Sequence, residues 1–464
     1  MVISPKEETA QHTCSYYLSF ISFIFEFNIE SKMHHYQAIA RSFTKLNPWW
    51  IIALGGFSRL VFVFSFLLTT ACPNYDPLVG QTAMTTGVDG YVQIARTIVT
   101  TGQYAFEPGA PPVPFRPPMQ PLLMAVFGAW SPEHWHIIWL TFSVALGTGT
   151  LCVLWMCARL TDLPPGLTNL LLLAAALHPY LIFATRVPGI PQALIFMTTL
   201  VLFGLLRFSR SNGKQPIQTG MIWGLAALTH GCFLPLLPPM CAILAITLRG
   251  NWKVRLGRTA LMGATALLII APWTLRNQKT FGRWIPVATG GALQYWIADY
   301  VYFRKRPDES NAFQRITADF QKNQGRQLNI IHGGILNLTD DEMLVKEAKQ
   351  QIRSQPSILA ARALKGSLLF WTTMDGGLKK AIIVSLMSLP LILLGLGLMV
   401  KVIMKRAWTA EYILAVLLMI GYWGLFAMVQ AVGPYFVAIS PCLLLVIAVG
   451  FNLIRNQGTA TRAS

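Results

Sequence analysis

Asp89 lies just past the end of a long apolar run, inside a polar stretch from Cys72 to Gln120 that contains VDGYVQIARTIVTTGQY and, further on, FRPPMQP. An ionised carboxylate close to hydrocarbon is costly unless it is paired or put to use. The chain has 19 acidic residues against 37 lysines and arginines, so Asp89 is the first place to look for chemistry. The second is Arg116, in Arg116-Pro117-Pro118. Proline fixes the chain where it returns to the bilayer and leaves the guanidinium at the membrane surface. There it can pair with Asp89 or grip a phosphate in bidentate fashion. Each residue has a plainer alternative: Asp89 as the cap of a helix opening at Gly90-Tyr91, and Arg116 as an ordinary snorkelling arginine.

The elements that must position these groups are membrane spans. The 464 residues are 54% hydrophobic and 12% charged, with mean hydropathy +0.49. Soluble domains carry about 25% charged residues. Half that value, with repeated apolar runs near the roughly 20 residues a bilayer requires, indicates an all-α polytopic membrane protein. The net charge of +18 gathers in short loops between apolar runs, where the positive-inside bias and anionic headgroups explain it, so a nucleic-acid partner is not implied. Seven cysteines are present, five of them in apolar runs and none with CxxC or zinc-ribbon spacing, which points to packing rather than to disulfides or metal. No P-loop, GxGxxG or metalloprotease motif is present.

Along the chain, spans are expected at about 48–71, 134–158, 167–185, 189–207, 259–274, 380–400, 410–430 and 435–454, with a hairpin at 218–248 broken by Gly231 and three prolines. That makes about ten helices. A short apolar helix at 121–130 is too short to cross. Residues 72–120 and 275–378 form two large polar regions, the second with helix-like stretches near 311–325 and 340–353. Basic residues such as Arg159, Arg207, Arg249 and Lys401 all fall on one side of this count, so that side is expected to be cytoplasmic and both polar regions external. The organisation expected is a cytoplasmic segment 1–47, a transmembrane core 48–274 holding the external loop 72–120, the external region 275–378, and closing helices 379–464. Residues 1–32 read as a dispensable or mis-started extension, because Met33 precedes an ordinary basic lead into the first span.

VDGYVQIARTIVTTGQY, FRPPMQPLL, GLAALTH, PWTLRNQKTFGRWIPVATGG and GPYFVAISPCLLL occur in that order. In order and spacing, from residue 48 to about 454, the chain resembles the membrane-embedded glycosyltransferases that use lipid-phosphate sugars. These are the family 39 type, with protein O-mannosyltransferase and aminoarabinose-transferase relatives. The resemblance implies a membrane glycosyltransferase of the C type and an external acidic residue at the reacting centre, at the position of Asp89. A carboxylate suits that place because the acceptor hydroxyl must lose a proton as the new bond forms. PWTLRNQKTFGR, residues 272–283, collects Arg276, Lys279 and Arg283 at the depth where a lipid-linked phosphate would lie. Negative charge builds on that leaving group, and a cation clamp stabilises it; interfacial anchoring is the rival reading. Tyr91, Arg116, Arg276, Asn277, Arg283 and Tyr435 are the expected substrate-binding residues.

The chain departs from the family pattern at several points. Relatives often carry Asp-Glu where it has Asp89-Gly90, which weakens the case for a divalent cation and leaves the metal unknown. Gln192 stands where relatives often have an acid, His230 where they often have arginine, and Pro434-Tyr435 where they commonly read Arg-Tyr. His230 reads as a structural hydrogen bonder, and the Asn337-Leu338-Thr339 sequon as a chance match. The expected function is an inverting glycosyltransferase of the bacterial inner membrane, moving a sugar from a polyprenyl-phosphate donor to a glycan, lipid or protein acceptor on the outer face. The alternatives are a non-enzymatic transporter or flippase of lipid-linked glycans and an inactive relative.

Overall fold

The computed structural model describes residues 42–70, 90–131, 134–186, 190–300, 309–331, 334–372, 378–429 and 435–463. Asp89, Cys72, Pro434 and the extension 1–32 lie outside the described residues. The described chain is almost wholly helical. Its helices are α1 (Pro48–Thr70), α2 (Tyr91–Thr101), α3 (Met119–Met124), α4 (Trp135–Leu160), α5 (Pro165–Ala176), α6 (Pro179–Phe183), α7 (Ile190–Arg210), α8 (Pro216–Thr229), α9 (Phe233–Thr247) and α10 (Trp252–Phe281). After them come α11 (Gly291–Ala298), α12 (Glu309–Gln324), a two-strand hairpin of β1 (Ile330–Ile331) and β2 (Gly334–Ile335), α13 (Leu338–Ser354), α14 (Ser357–Thr372), α15 (Leu378–Met404), α16 (Ala410–Val429) and α17 (Tyr435–Ala463). The fold is an all-α polytopic membrane protein.

Among the described residues seven helices are long and apolar enough to cross a bilayer, and the bent pair α5–α6 brings the number to eight. The expected ten is reduced because α8 and α9, the arms of the hairpin, have 14 and 15 residues, short of the roughly 20 a span requires. They meet at a break around Gly231. α10 is longer than expected, at 30 residues, and carries Pro272 inside it. Its end is set by Gly282, which adopts the left-handed conformation and closes the last turn through its N–H to the Gln278 carbonyl. Arg276 and Asn277 therefore sit on a helix, and the second polar region begins near Gly282 rather than at 275.

α8 packs along α10 through Gly220 and Gly224, a small-xxx-small pair. A Cβ at Gly220 would run into the Met262 carbonyl, and one at Gly224 would lie 2.8 Å from the Ala266 carbonyl oxygen, so the two backbones touch only because those side chains are absent. The break between α5 and α6, a bend of 52°, leaves carbonyls without helical partners in a place poor in water. Arg59, at the middle of α1 and only 1% exposed, supplies the donor. Its Nη1 bonds the carbonyls of Ala176 at 3.2 Å and of Gly55 at 2.8 Å.

The second polar region folds as a helical layer with its own small core, built around Leu293, Ile297, Phe320 and Leu344. Arg362 of α14 pins α11: its Nη2 donates to Asp299 Oδ1 at 2.5 Å, and its guanidinium stacks 3.6 Å from the centre of the Tyr295 ring. Asn337 caps α13 by accepting from the Thr339 N–H at 3.0 Å, which gives the sequon residue a structural task. α11, α14 and the hairpin were not expected from the sequence.

Candidate functional site

α2 opens at Tyr91, with Gly90 in the N-cap position at φ 72 and with no side-chain cap bond. A left-handed N-cap favours glycine, so a glutamate at position 90 would be strained. α2 is amphipathic and buries Tyr91, Ile94 and Ala95. Beyond it the loop folds back on itself through the Tyr104–Val113 hydrogen bond, and an apolar cluster of Ile94, Tyr104, Phe106, Val113 and Phe115 holds it together. The Tyr104 hydroxyl donates to the carbonyls of Arg116 and Pro117 at 3.0 and 3.1 Å. That bond fixes the backbone from which Arg116 projects. Burial pushes the Tyr104 phenol well up from its ordinary value, the nearby Tyr91 adding to this and the cations Arg276 and Arg116 opposing it, so it stays a proton donor at neutral pH.

Arg116 is 9% exposed. Its guanidinium lies 5.2 Å from the centre of the Tyr91 ring and 5.0 Å from that of Phe115, stacking contacts that hold it in place. It faces a cavity of about 300 Å³ lined among others by Tyr91, Arg116, His230, Gln294, Phe426 and Tyr435. Six separated stretches of chain thus meet at one place. Tyr435 is stacked on Phe426 at 4.4 Å and meets the His230 ring edge-on at 5.5 Å. The Cys232 N–H donates to His230 Nδ1 at 3.3 Å, so the neutral ring carries its proton on Nε2. His230 was read from the sequence as a structural hydrogen bonder. It makes that bond and also lines the cavity.

The floor of the cavity is the loop Ala288–Gly291 and the first turn of α11. The Thr289 N–H donates to the Pro114 carbonyl at 3.0 Å, which ties the two polar regions together beside Arg116. Behind Gly290 sits Asp341, whose carboxyl is pushed up by burial and held down by a backbone hydrogen bond from Gly290.

The other expected residues among those described, Arg276, Asn277 and Arg283, lie outside this lining. On the C-terminal end of α10, Trp273, Thr274 and Asn277 donate to the carbonyls of Val287, Pro286 and Ile285 at 2.7, 3.0 and 2.9 Å. They zip the extended segment back onto the helix. Asn277 also accepts from Arg276 Nη1 at 2.9 Å, so both ends of its buried amide are engaged within the protein. Arg276 is set among Trp273, Tyr104 and Phe281, at 4.8, 5.2 and 5.3 Å from their ring centres. Arg283 forms an ion pair with Glu342 of α13. Among the described residues no group of three His, Cys, Asp or Glu side chains is placed to hold a metal ion. Tyr104, Trp273 and Phe426 were missed by sequence reasoning, and in retrospect only the final tyrosine of the TTGQY motif was a signal.

No family model and no curated protein matches the sequence. Among solved structures, the chain is similar to the archaeal oligosaccharyltransferase AglB from Archaeoglobus fulgidus in complex with an inhibitory peptide and a dolichol-phosphate. The TM-score is 0.50 and the identity 16%, over 89% of this chain and 51% of that one. The likeness is one of fold. Two further structures of the Archaeoglobus fulgidus oligosaccharyltransferase also match, one with Zn and sulfate and one apo. They show 12% and 14% identity and TM-scores of 0.45 and 0.43, over 86% and 89% of this chain and 48% and 52% of theirs. The chain spans about half the length of the proteins it matches.

Proposed function

We propose that this chain is an inverting glycosyltransferase of the bacterial inner membrane, of the family 39 type, which moves a sugar from a polyprenyl-phosphate donor to an acceptor at the outer face. The observation that carries the reading is the cavity where Tyr91, Arg116, His230 and Tyr435 converge. It opens beside the start of α2, and Asp89 is the residue immediately before the N-cap Gly90. Because Gly90 takes the cap position, the helix-cap reading of Asp89 loses its main support. A cavity of about 300 Å³ is at the small end of ligand sites and suits one sugar better than a branched glycan. Its aromatic walls offer faces to a sugar ring, and Arg116 offers bidentate hydrogen bonds to a phosphate.

In this reading the Asp89 carboxylate takes the proton from the acceptor hydroxyl as its oxygen bonds the anomeric carbon, and the phosphate leaves with the bonding pair of the broken C–O bond. Arg116 stabilises that phosphate, and the Nε2–H of His230 and the Tyr435 hydroxyl contact the sugar. Arg276, over the Tyr104 ring, adds positive potential and meets the phosphate as the lipid enters. Asn277 and Arg283 act as positioning residues, holding 282–287 and α13 in place. The AglB complex contains a dolichol-phosphate, which supports a lipid-phosphate donor. The loop charges support external polar regions. Asp89→Asn keeps shape while removing the base, so transfer from a polyprenyl-phosphate sugar should fall roughly 10²-fold or more with no loss of folded protein. A well-folded variant with near wild-type transfer refutes Asp89 as the base. Absence of an accumulated polyprenyl-phosphate sugar in a deletion strain refutes the wider reading.

A further inference from the structure

α13 has a cationic face that the proposed transfer does not use. Lys346, Lys349 and Arg353 are all exposed and follow one another at intervals of three and four, so they project from the same side of the helix. They line an open groove together with Glu342, Gln350 and Ser354. The acids of the same helix are engaged elsewhere. Glu342 pairs with Arg283, Asp340 pairs with Arg326, and Glu347 accepts from Gln324 Nε2 at 3.0 Å. The three cations have no acidic partner among the described residues.

The position of this face relative to the bilayer follows from what holds the two ends of α13. At the N-terminal end, Glu342 is bound to Arg283, two residues past the last residue of the span α10. The next residue, Trp284, is 69% exposed, and an exposed tryptophan beside a span end belongs at headgroup depth. At the C-terminal end only Gln355 and Pro356 separate α13 from α14. α14 exposes Leu364 and Leu368, at 74% and 63%, and packs against the span α15, which exposes Ile382, Ile383 and Leu386. Exposed apolar side chains on a helix packed against a span face lipid tails. Both ends of α13 are therefore anchored where helices leave the bilayer, and the helix between them, about 25 Å long, carries its cations along the headgroup layer.

We propose that this face of α13 is a binding site for the phosphate groups of anionic membrane lipids, seating the outer helical layer on the bilayer. The inference is independent of the transfer reaction. It requires only that the chain spans a membrane.

Two measurements test it. In the first, Lys346 and Lys349 of the wild-type chain are acetylated with an impermeant amine reagent, in nanodiscs of phosphatidylcholine alone and of phosphatidylcholine with phosphatidylglycerol. Exposed Lys322 on α12 serves as the internal reference. Modification of Lys346 and Lys349 relative to Lys322 should slow severalfold when phosphatidylglycerol is present. Equal relative rates in the two membranes overturn the proposal. In the second, phosphatidylglycerol retained by the detergent-purified full chain is weighed by native mass spectrometry, for wild type and for Lys346→Gln/Lys349→Gln/Arg353→Gln. Each basic residue near an anionic surface contributes roughly fivefold, so affinity should fall on the order of a hundredfold while phosphatidylcholine retention is unchanged. Unchanged phosphatidylglycerol retention overturns the proposal. So does a soluble sulfated oligosaccharide that binds wild type, fails to bind the variant and leaves lipid retention equal, because the face then belongs to an anionic glycan.

Discussion

Gly334→Ala should damage both stability and transfer although residue 334 does not line the cavity. Gly334 is buried in β2, its backbone held by pairing with Ile331. A Cβ at this position would run into Cγ, Cδ2 and Cε2 of the Phe115 ring. Carbon atoms touch at about 3.5 Å, so the ring must retreat by about an ångström or more. It has little room to do so, since Phe115 is buried among Ile94, Tyr104, Phe106 and Val113. Overpacking of this kind costs about 2–3 kcal/mol. The strain falls on the residue before Arg116, whose guanidinium rests on the same ring at 5.0 Å, so the apparent donor requirement should rise with the loss of stability. The clash gives the double variant a distinct expectation. Phe115→Leu alone should cost about 1 kcal/mol, and in Gly334→Ala/Phe115→Leu the smaller side chain makes space for the methyl. The two changes should then fall short of additivity by about 1–2 kcal/mol. Thermal unfolding in detergent and initial rates of transfer from a polyprenyl-phosphate sugar measure the two effects. Strict additivity, or a Gly334→Ala protein with wild-type melting, would falsify the packing argument.

Arg116→Lys keeps the charge and loses the planar fork, so it should raise the donor concentration needed for half-maximal transfer by about tenfold; a lysine variant with wild-type donor dependence would remove Arg116 from phosphate binding. Gly220→Val should lower the melting temperature by separating α8 from α10, at about 2–3 kcal/mol. Gly263→Ala, where a Cβ meets only Cys241 Sγ at 3.5 Å, should be near neutral, and equal effects at the two sites would dismiss the small-residue seam. Burial raises the Asp341 carboxyl above its ordinary 3.8, so the folded chain holds that proton more tightly than the unfolded one. The resulting stabilisation is present at low pH and is lost as pH rises through the folded value. Relative to Asp341→Asn, wild type should therefore lose stability as pH rises from about 4, and a flat difference across that range would contradict the raised value.

The spans were legible because hydropathy alone decides where a helix crosses a bilayer. The end of α10 was not, since a cap at Gly282 rather than loss of apolarity stops the helix. The arms α8 and α9 were counted as two crossings because their apolar run is long enough in total; the break falls at Gly231, while Pro238 and Pro239, expected to break the run, lie inside α9. Arg116 and Tyr435 could be nominated by residue type, but no pattern in the sequence announces that they meet His230 in one cavity. Tyr104 escaped notice for the same reason. Its role depends on partners 12 and 13 residues away and on Arg276 of the distant helix α10, and such contacts leave no local periodicity. The hairpin strands have two residues each, too few for alternation to register. Asp89, the strongest chemical suggestion of the sequence, lies outside the described residues.

Arg59 also governs how the chain can be assembled. An arginine at the centre of an isolated span opposes insertion by about 2.5–3.5 kcal/mol, and α1 meets the membrane before α5 and α6 have been made. Its hydrogen-bond partner at Ala176 arrives 117 residues later. The kinked segment has the converse difficulty, since its open carbonyls are unwelcome in lipid until Arg59 reaches them. Each of these two segments is thus a poor membrane helix alone and a good one in the other's company. α1 is best released into the bilayer only after α5 and α6 have been synthesised, so the chain from α1 to α6 matures as a unit.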